Sequence, residues 1–128
     1  MKAHQSVVWL DHQEARIFGV DADKLQAETV AAPEHHLHRH PKGPTAEHHH
    51  ASDGAQFFRH IATVLRDADE ILVVGPSTAK LQFLRFLTKQ DQALEAKVVG
   101  VETVDHPTDR QLVAHARHYF DPKGHPRN

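Results

Sequence analysis

Apolar residues recur along this chain with two different periods, and the change of period divides it. Near the N-terminus, Ser6-Val7-Val8-Trp9-Leu10-Asp11 and Glu14-Ala15-Arg16-Ile17-Phe18-Gly19-Val20 are rich in β-branched and aromatic residues and are separated by a short Asp11-His12-Gln13 turn. Two strands joined as a hairpin follow from that pattern. A weaker alternation of Leu25, Ala27 and Thr29 predicts a third strand over residues 24–30, which completes an antiparallel meander. Between residues 33 and 53 the apolar pattern disappears, and Pro33, Pro41, Gly43 and Pro44 interrupt any regular element, so a loop is predicted. Beyond it Phe57, Phe58, Ile61, Leu65 and Ala68 fall at helical spacing, with Ser52 or Asp53 available as the cap.

The remainder alternates. Glu70-Ile71-Leu72-Val73-Val74-Gly75 is a nearly continuous apolar run, the signature of a strand covered on both faces. Gly75-Pro76-Ser77 then turns into a helix through Lys80, Leu81, Leu84 and Leu87, capped by Ser77 or Thr78. An extra turn over 91–95 leads to a strand over 97–104, and a last helix capped at Thr108 buries Leu112, Val113, Ala116, Tyr119 and Phe120. Trp9, Phe18, Phe57, Phe58, Phe83 and Phe86 join Tyr119 and Phe120 as core or near-core residues. The polar, proline-bearing residues 121–128 read as a frayed tail. Strands joined through helices must lie parallel, so the order βββ-loop-αβαβα predicts one α/β domain over 1–120: a mixed sheet with helices packed on it.

Composition changes this picture in one respect. The apolar fraction of 39% and charged fraction of 25% are ordinary for a globular domain and exclude collagen, coiled coil and wholesale disorder. The absence of cysteine excludes disulfides, thiolate zinc sites and a cysteine nucleophile, and agrees with a reducing compartment. The start, Met1-Lys2-Ala3-His4-Gln5-Ser6, has no signal-type apolar region, and no apolar run approaches the ~18 residues a membrane span needs. A cytoplasmic protein with no membrane partner is expected. The formal charge of −2, however, counts all 14 histidines as neutral. Imidazoles titrate near ~6.5, so half-protonation would add about seven positive charges.

Half of those histidines lie between residues 33 and 53, as His35, His36, His38, His40, His48, His49 and His50, beside Arg39 and Lys42. One chemistry open to them is metal binding, with His36, His38 and His40 converging from an extended segment on a zinc or nickel ion. Another is RNA contact, in which imidazoles stack on bases while protonated histidine, Arg39 and Lys42 meet phosphates. Elsewhere Ser77, Thr78 and Lys80 form a candidate anion site at a helix start, although the spacing is not that of a phosphate-binding loop with its Gly-Lys-Ser/Thr ending. Asp11, Glu70, Glu102 and Asp105 lie near strand ends, where a metal-dependent nuclease places carboxylates. Asp11-His12, Asp105-His106 and Ser77 supply the residue types of a hydrolytic triad, without a nucleophile-elbow motif.

Four segments taken together resemble a known family. They are Val8-Trp9-Leu10-Asp11-His12-Gln13-Glu14-Ala15-Arg16-Ile17-Phe18, Ile71-Leu72-Val73-Val74-Gly75-Pro76-Ser77-Thr78-Ala79-Lys80, Val98-Val99-Gly100-Val101-Glu102-Thr103-Val104-Asp105, and residues 111–120. In order and spacing they resemble small bacterial proteins described as translational machinery proteins, and more distantly the central domain of archaeal and eukaryotic peptide-chain release factor 1 and of Pelota. The strand followed by Gly-Pro-x-x-x-Lys and a helix carrying Phe83 is the most specific element.

The resemblance implies a ribonuclease H-like fold and a role at the ribosome. It also implies that the segment after the third strand is the functional tip, where release factors carry Gly-Gly-Gln. Here that place is taken by the histidine loop and its exit, Asp53-Gly54-Ala55-Gln56, with Gly54 and Gln56 matching the motif and Ala55 replacing its second glycine. The function expected is a non-enzymatic factor that contacts ribosome, rRNA or tRNA in translational stress, hibernation or rescue. A peptidyl-tRNA hydrolase using Gln56, a metal-dependent nuclease and a histidine-based metal-binding protein are the alternatives. The family's flanking domains are missing, so a homodimer or a partner protein supplying them is also expected.

Overall fold

The computed structural model describes residues 5–20, 27–33 and 44–121, with side chains in its first helix described from Gly54 onward. Its elements run β1 (Gln5–Leu10), β2 (Glu14–Gly19), β3 (Glu28–Ala31), α1 (Pro44–Leu65), β4 (Glu70–Gly75), α2 (Ala79–Gln90), α3 (Gln92–Glu95), β5 (Val98–Thr103) and α4 (Asp109–Phe120). The five strands form one sheet in the order β3-β2-β1-β4-β5. β1, β2 and β3 pair antiparallel, whereas β4 pairs parallel with both β1 and β5. The mixed α/β sheet expected from the sequence is the one observed.

The central strands explain why helices lie on both faces. Val8 and Leu10 of β1 and Ile71 and Val73 of β4 point to one side, where Phe57, Ile61 and Leu65 of α1 and Phe83 and Leu87 of α2 cover them. Val7, Trp9, Leu72 and Val74 point to the other, where Leu112, Val113 and Ala116 of α4 cover them. With successive side chains on opposite faces, an all-apolar strand exposes oil to water unless both faces are covered. The chain meets that demand with two separate clusters and buries every residue from Ile71 to Gly75.

Local signals are honoured at most boundaries. Asp11 Oδ1 accepts from the amides of Gln13 and Glu14 at 2.8 and 2.9 Å, an Asx turn that closes the first hairpin. Thr108 caps α4 in a full capping box with Gln111. Asp91 caps α3 through the Leu94 amide.

Three expectations are corrected. α1 begins at Pro44, not at Ser52 or Asp53, so the second half of the predicted loop 33–53 is helix and Gly54, Ala55 and Gln56 lie inside it rather than at a loop exit. Proline is well suited to the first helical position, and Ala46, Glu47, Ala51 and Ala55 favour helix. The apolar stripe begins only at Phe57, and a helix can start well before the face it buries. In β3 the buried residue is Val30, while Ala27 and Thr29 are exposed. The register Ala15↔Val30 turns Val30 onto the face covered by α1, opposite to the phase read from Leu25, Ala27 and Thr29; Leu25 lies outside the described residues. In α2, Leu81 is 49% exposed, and the face toward the sheet is made by Ala79, Lys80, Phe83 and Leu87.

Gly75 closes the centre of the sheet. Its carbonyl accepts from Val104 N–H at 3.1 Å, and a Cβ at this position would lie far inside contact distance of the Leu10 carbonyl oxygen. Gly75→Ala should therefore lower stability by ~1–3 kcal/mol, as overpacking against rigid backbone does, measured by urea unfolding. A Cβ on Gly54 meets nothing within 4 Å. In the same assay Gly54→Ala should raise stability by ~0.5–1 kcal/mol, the helix-interior cost of glycine.

Candidate functional site at the carboxyl edge of the sheet

Topology gathers the chemistry on one edge. β3 is parallel to β1, so α1 leaves the carboxyl end of β3 and runs toward the amino end of β4. Its start therefore shares an edge with the β1–β2 turn, the start of α2 and the β5–α4 connection. Thirteen residues of α1 precede Phe57, the first buried residue described on it, and at ~1.5 Å per residue they carry the helix ~20 Å from that point. Open α/β sheets take their ligands at this edge.

At the β1–β2 side the edge is built around Trp9, which is 1% exposed and donates its indole N–H to the Asp105 carbonyl at 2.7 Å. The hairpin register places Arg16 directly across from Trp9, and its guanidinium lies 4.6 Å from the centre of the indole. Arg16 also pairs with Asp109 at 2.5 Å and donates to the Pro107 carbonyl at 3.2 Å; its Nε is buried with no hydrogen-bond partner. His106 packs on the outer side, 5.1 Å from the Trp9 ring. Its Nδ1 is 2.9 Å from Asp105 and its Nε2 3.9 Å from Asp11. These contacts pin the β5–α4 connection to the first hairpin and make a rigid platform of that corner.

The start of α2 is closed rather than open. Lys80 is buried, and its ammonium donates to the Ser77 carbonyl at 2.7 Å. Ser77 Oγ makes a long 3.5 Å contact with the Ala79 amide, and Thr78 makes no side-chain cap. Lys80 and Ser77 thus engage each other, while the Thr78 carbonyl accepts from the amides of Leu81 and Gln82, as a turn and helix start require.

The four carboxylates considered for a nuclease are dispersed. Glu70 sits at the amino end of β4, bonded to Gln5 at 3.0 Å, and Glu102 pairs with His115 at 2.5 Å. Only Asp11 and Asp105 approach each other, through His106. Among the described residues no group of three or more histidines and carboxylates is arranged to hold a metal. Of the hydrolytic combination, Asp105 and His106 do meet, at 2.9 Å, and Asp11 approaches that same imidazole rather than His12, but Ser77 Oγ faces a backbone amide.

Part of the histidine segment lies within the described residues. His35, His36, His38, Arg39, His40 and Lys42, with the zinc or nickel set drawn from them, lie outside the described residues. His48, His49 and His50 lie on α1, with backbone alone described. Gln56, in contrast, is exposed and lines an open cleft of about 400 Å³ together with Ala31, Pro33, Phe57, Arg59 and His60. Sequence reasoning passed over Arg59 and His60, although their places three and four residues after Gln56 put all three on one helix face. It also missed Arg16, which counting outward from the Asp11 turn would have set opposite Trp9.

No protein-family model matches the sequence, and no curated protein matches it. The fold is that of a domain shared by Pelota and archaeal termination factors. Pelota from Archaeoglobus fulgidus superposes with a TM-score of 0.62 at 16% identity over 96% of this chain and 33% of its own. Pelota from Thermoplasma acidophilum gives 0.54 at 19% identity, over 91% of this chain and 31% of its own. The archaeal translation termination factor aRF1 gives 0.53 at 15%, over 91% and 33%. The chain therefore spans about a third of the length of the structures it matches. Among the described residues no helix is long and apolar enough to cross a membrane.

Trp9 is the only tryptophan, so its emission reports on the corner directly. Arg16→Met should lower stability by ~1–2 kcal/mol, because the stacked cation and the pair with half-exposed Asp109 are lost together, and should shift Trp9 emission. His106→Ala should change Trp9 emission while leaving the urea midpoint nearly unmoved, since His106 is largely exposed. Equal loss of stability in both variants would show the platform assignment to be wrong.

Proposed function

We propose that this chain is a non-enzymatic, ribosome-associated factor of translation, contacting RNA through the start of α1 and the histidine-bearing segment before it. The observation that carries this reading is the fold, shared over nearly the whole chain with Pelota and with an archaeal translation termination factor. Topology supports the choice of contact surface, because it sets the start of α1 beyond the carboxyl edge. Chemistry supports the choice of partner: His35, His36, His38, His40, His48, His49 and His50, with Arg39 and Lys42, supply stacking rings and cationic charge for phosphates. A contacting role suits Gln56 better than a hydrolytic one. It lies within a helix next to Ala55, whose Cβ restricts the backbone where a second glycine would free it.

The test is co-sedimentation with ribosomes, comparing wild type with a deletion of residues 34–50. Wild type should pellet at low salt, and the deletion should not, since phosphate contacts are strongest when few counterions compete. Protonation adds positive charge facing phosphate, so affinity should be highest at low pH and decline as pH rises from about 6 to about 7.5 at constant ionic strength. Failure to pellet at low salt, or affinity flat across that range, would count against the reading. Peptidyl-tRNA release that disappears in Gln56→Ala would replace it with a hydrolase.

A further inference from the structure

The cleft between the end of β3 and α1 has an unusual division of labour on its walls. Gln56, Arg59 and His60 form the polar wall, all exposed and all from one face of α1. Ala31, Pro33 and the buried Phe57 form the apolar one. Among the described residues no carboxylate pairs with Arg59 or His60, and none hydrogen-bonds the Gln56 amide. Several other cations are engaged, Arg16 with Asp109, Lys80 with the Ser77 carbonyl and Arg117 with the Val20 carbonyl, and Arg85, Lys89 and Arg110 are exposed but do not line this cleft. The cleft volume, about 400 Å³, falls within the roughly 300–1,000 Å³ typical of small-molecule sites.

We propose that this cleft is a subsite for one phosphate-bearing nucleotide of single-stranded RNA. A guanidinium and an imidazole on adjacent residues offer a phosphate several charge-assisted donors at once. The Gln56 amide presents a donor beside an acceptor, the pattern complementary to a base edge. Ala31, Pro33 and the edge of Phe57 give a ribose or base face an apolar surface. An acidic peptide would use Arg59 and His60 and leave the amide and the apolar wall without partners, so RNA is the better fit. The proposal rests on the ribosome reading only for the source of the nucleotide; the cleft itself is tested without ribosomes.

The experiment is an amide and side-chain NMR titration of the full chain at low salt. The probes are adenosine 5′-monophosphate, 5′-phosphorylated tetra-adenylate and tetraglutamate. Both nucleotide probes should shift resonances of Ala31, Gln56, Arg59 and His60, the tetranucleotide at lower concentration. Arg59→Ala should weaken tetranucleotide binding roughly tenfold or more, as loss of a charged hydrogen-bond partner does, and Arg59→Lys should recover part of it. Both changes lie on an exposed position of α1, and an otherwise unchanged spectrum shows that the fold is kept. Absence of shifts at these residues, equal shifts with tetraglutamate, or an Arg59→Ala variant that binds as wild type would overturn the proposal. Ribosome pelleting without nucleotide binding in the cleft would sink this inference alone, whereas nucleotide binding without pelleting would uphold it and sink the ribosome reading.

Discussion

Two neighbouring parallel strands, apolar on both faces, set the terms for the whole molecule. β1 and β4 lie side by side in the middle of the sheet, and neither has a polar face to show to water. Burying one face takes α1 and α2; burying the other takes α4. Because β1 and β4 are parallel, the chain must return between them through a crossover, and it does so through β2, β3 and α1. The start of α1 is thereby delivered to the carboxyl edge. Its location follows from the way the two central strands are buried.

The same constraint organises the corner around Trp9. An indole on a buried strand needs a partner for its N–H and finds one in the Asp105 carbonyl, which fixes where the chain leaves β5. Arg16 stacks its guanidinium on the ring and reaches Asp109 in the first turn of α4. One hairpin residue pair thus positions the last helix, while Gly75, pressed against Leu10, lets β4 end close beside β1.

Most of this was legible in the chain because the central strands carry redundant information: β-branched runs, turn residues at both ends and helix caps all agree. The capping box of Thr108 and Gln111 and the Asx turn of Asp11 are local chemistry and read directly. What escaped reading lacks a local signature. The start of α1 carries no apolar stripe, so Pro44 looked like a breaker when it is a helix opener. Val30 is inward only because β2 sets its register, and Lys80 displaces Leu81 from the buried face of α2 because its ammonium can reach the Ser77 carbonyl. The site was legible as composition and as a resemblance, but not as geometry. Gln56 stood out in the sequence, whereas Arg59 and His60 gained meaning only when the end of β3 came alongside them.

The crossover that begins after β3 has a further consequence. Closing a chain loop costs free energy that grows only with the logarithm of its length, about 0.6 kcal/mol for each doubling. Residues 34–43 connect β3 to α1, so a change of length there adds only this small closure cost. Selection acting on whatever this segment touches is thus nearly uncoupled from selection for folding. A stable scaffold can carry a fast-changing tip, and relatives of this domain should diverge most in length and composition there while keeping the two central strands.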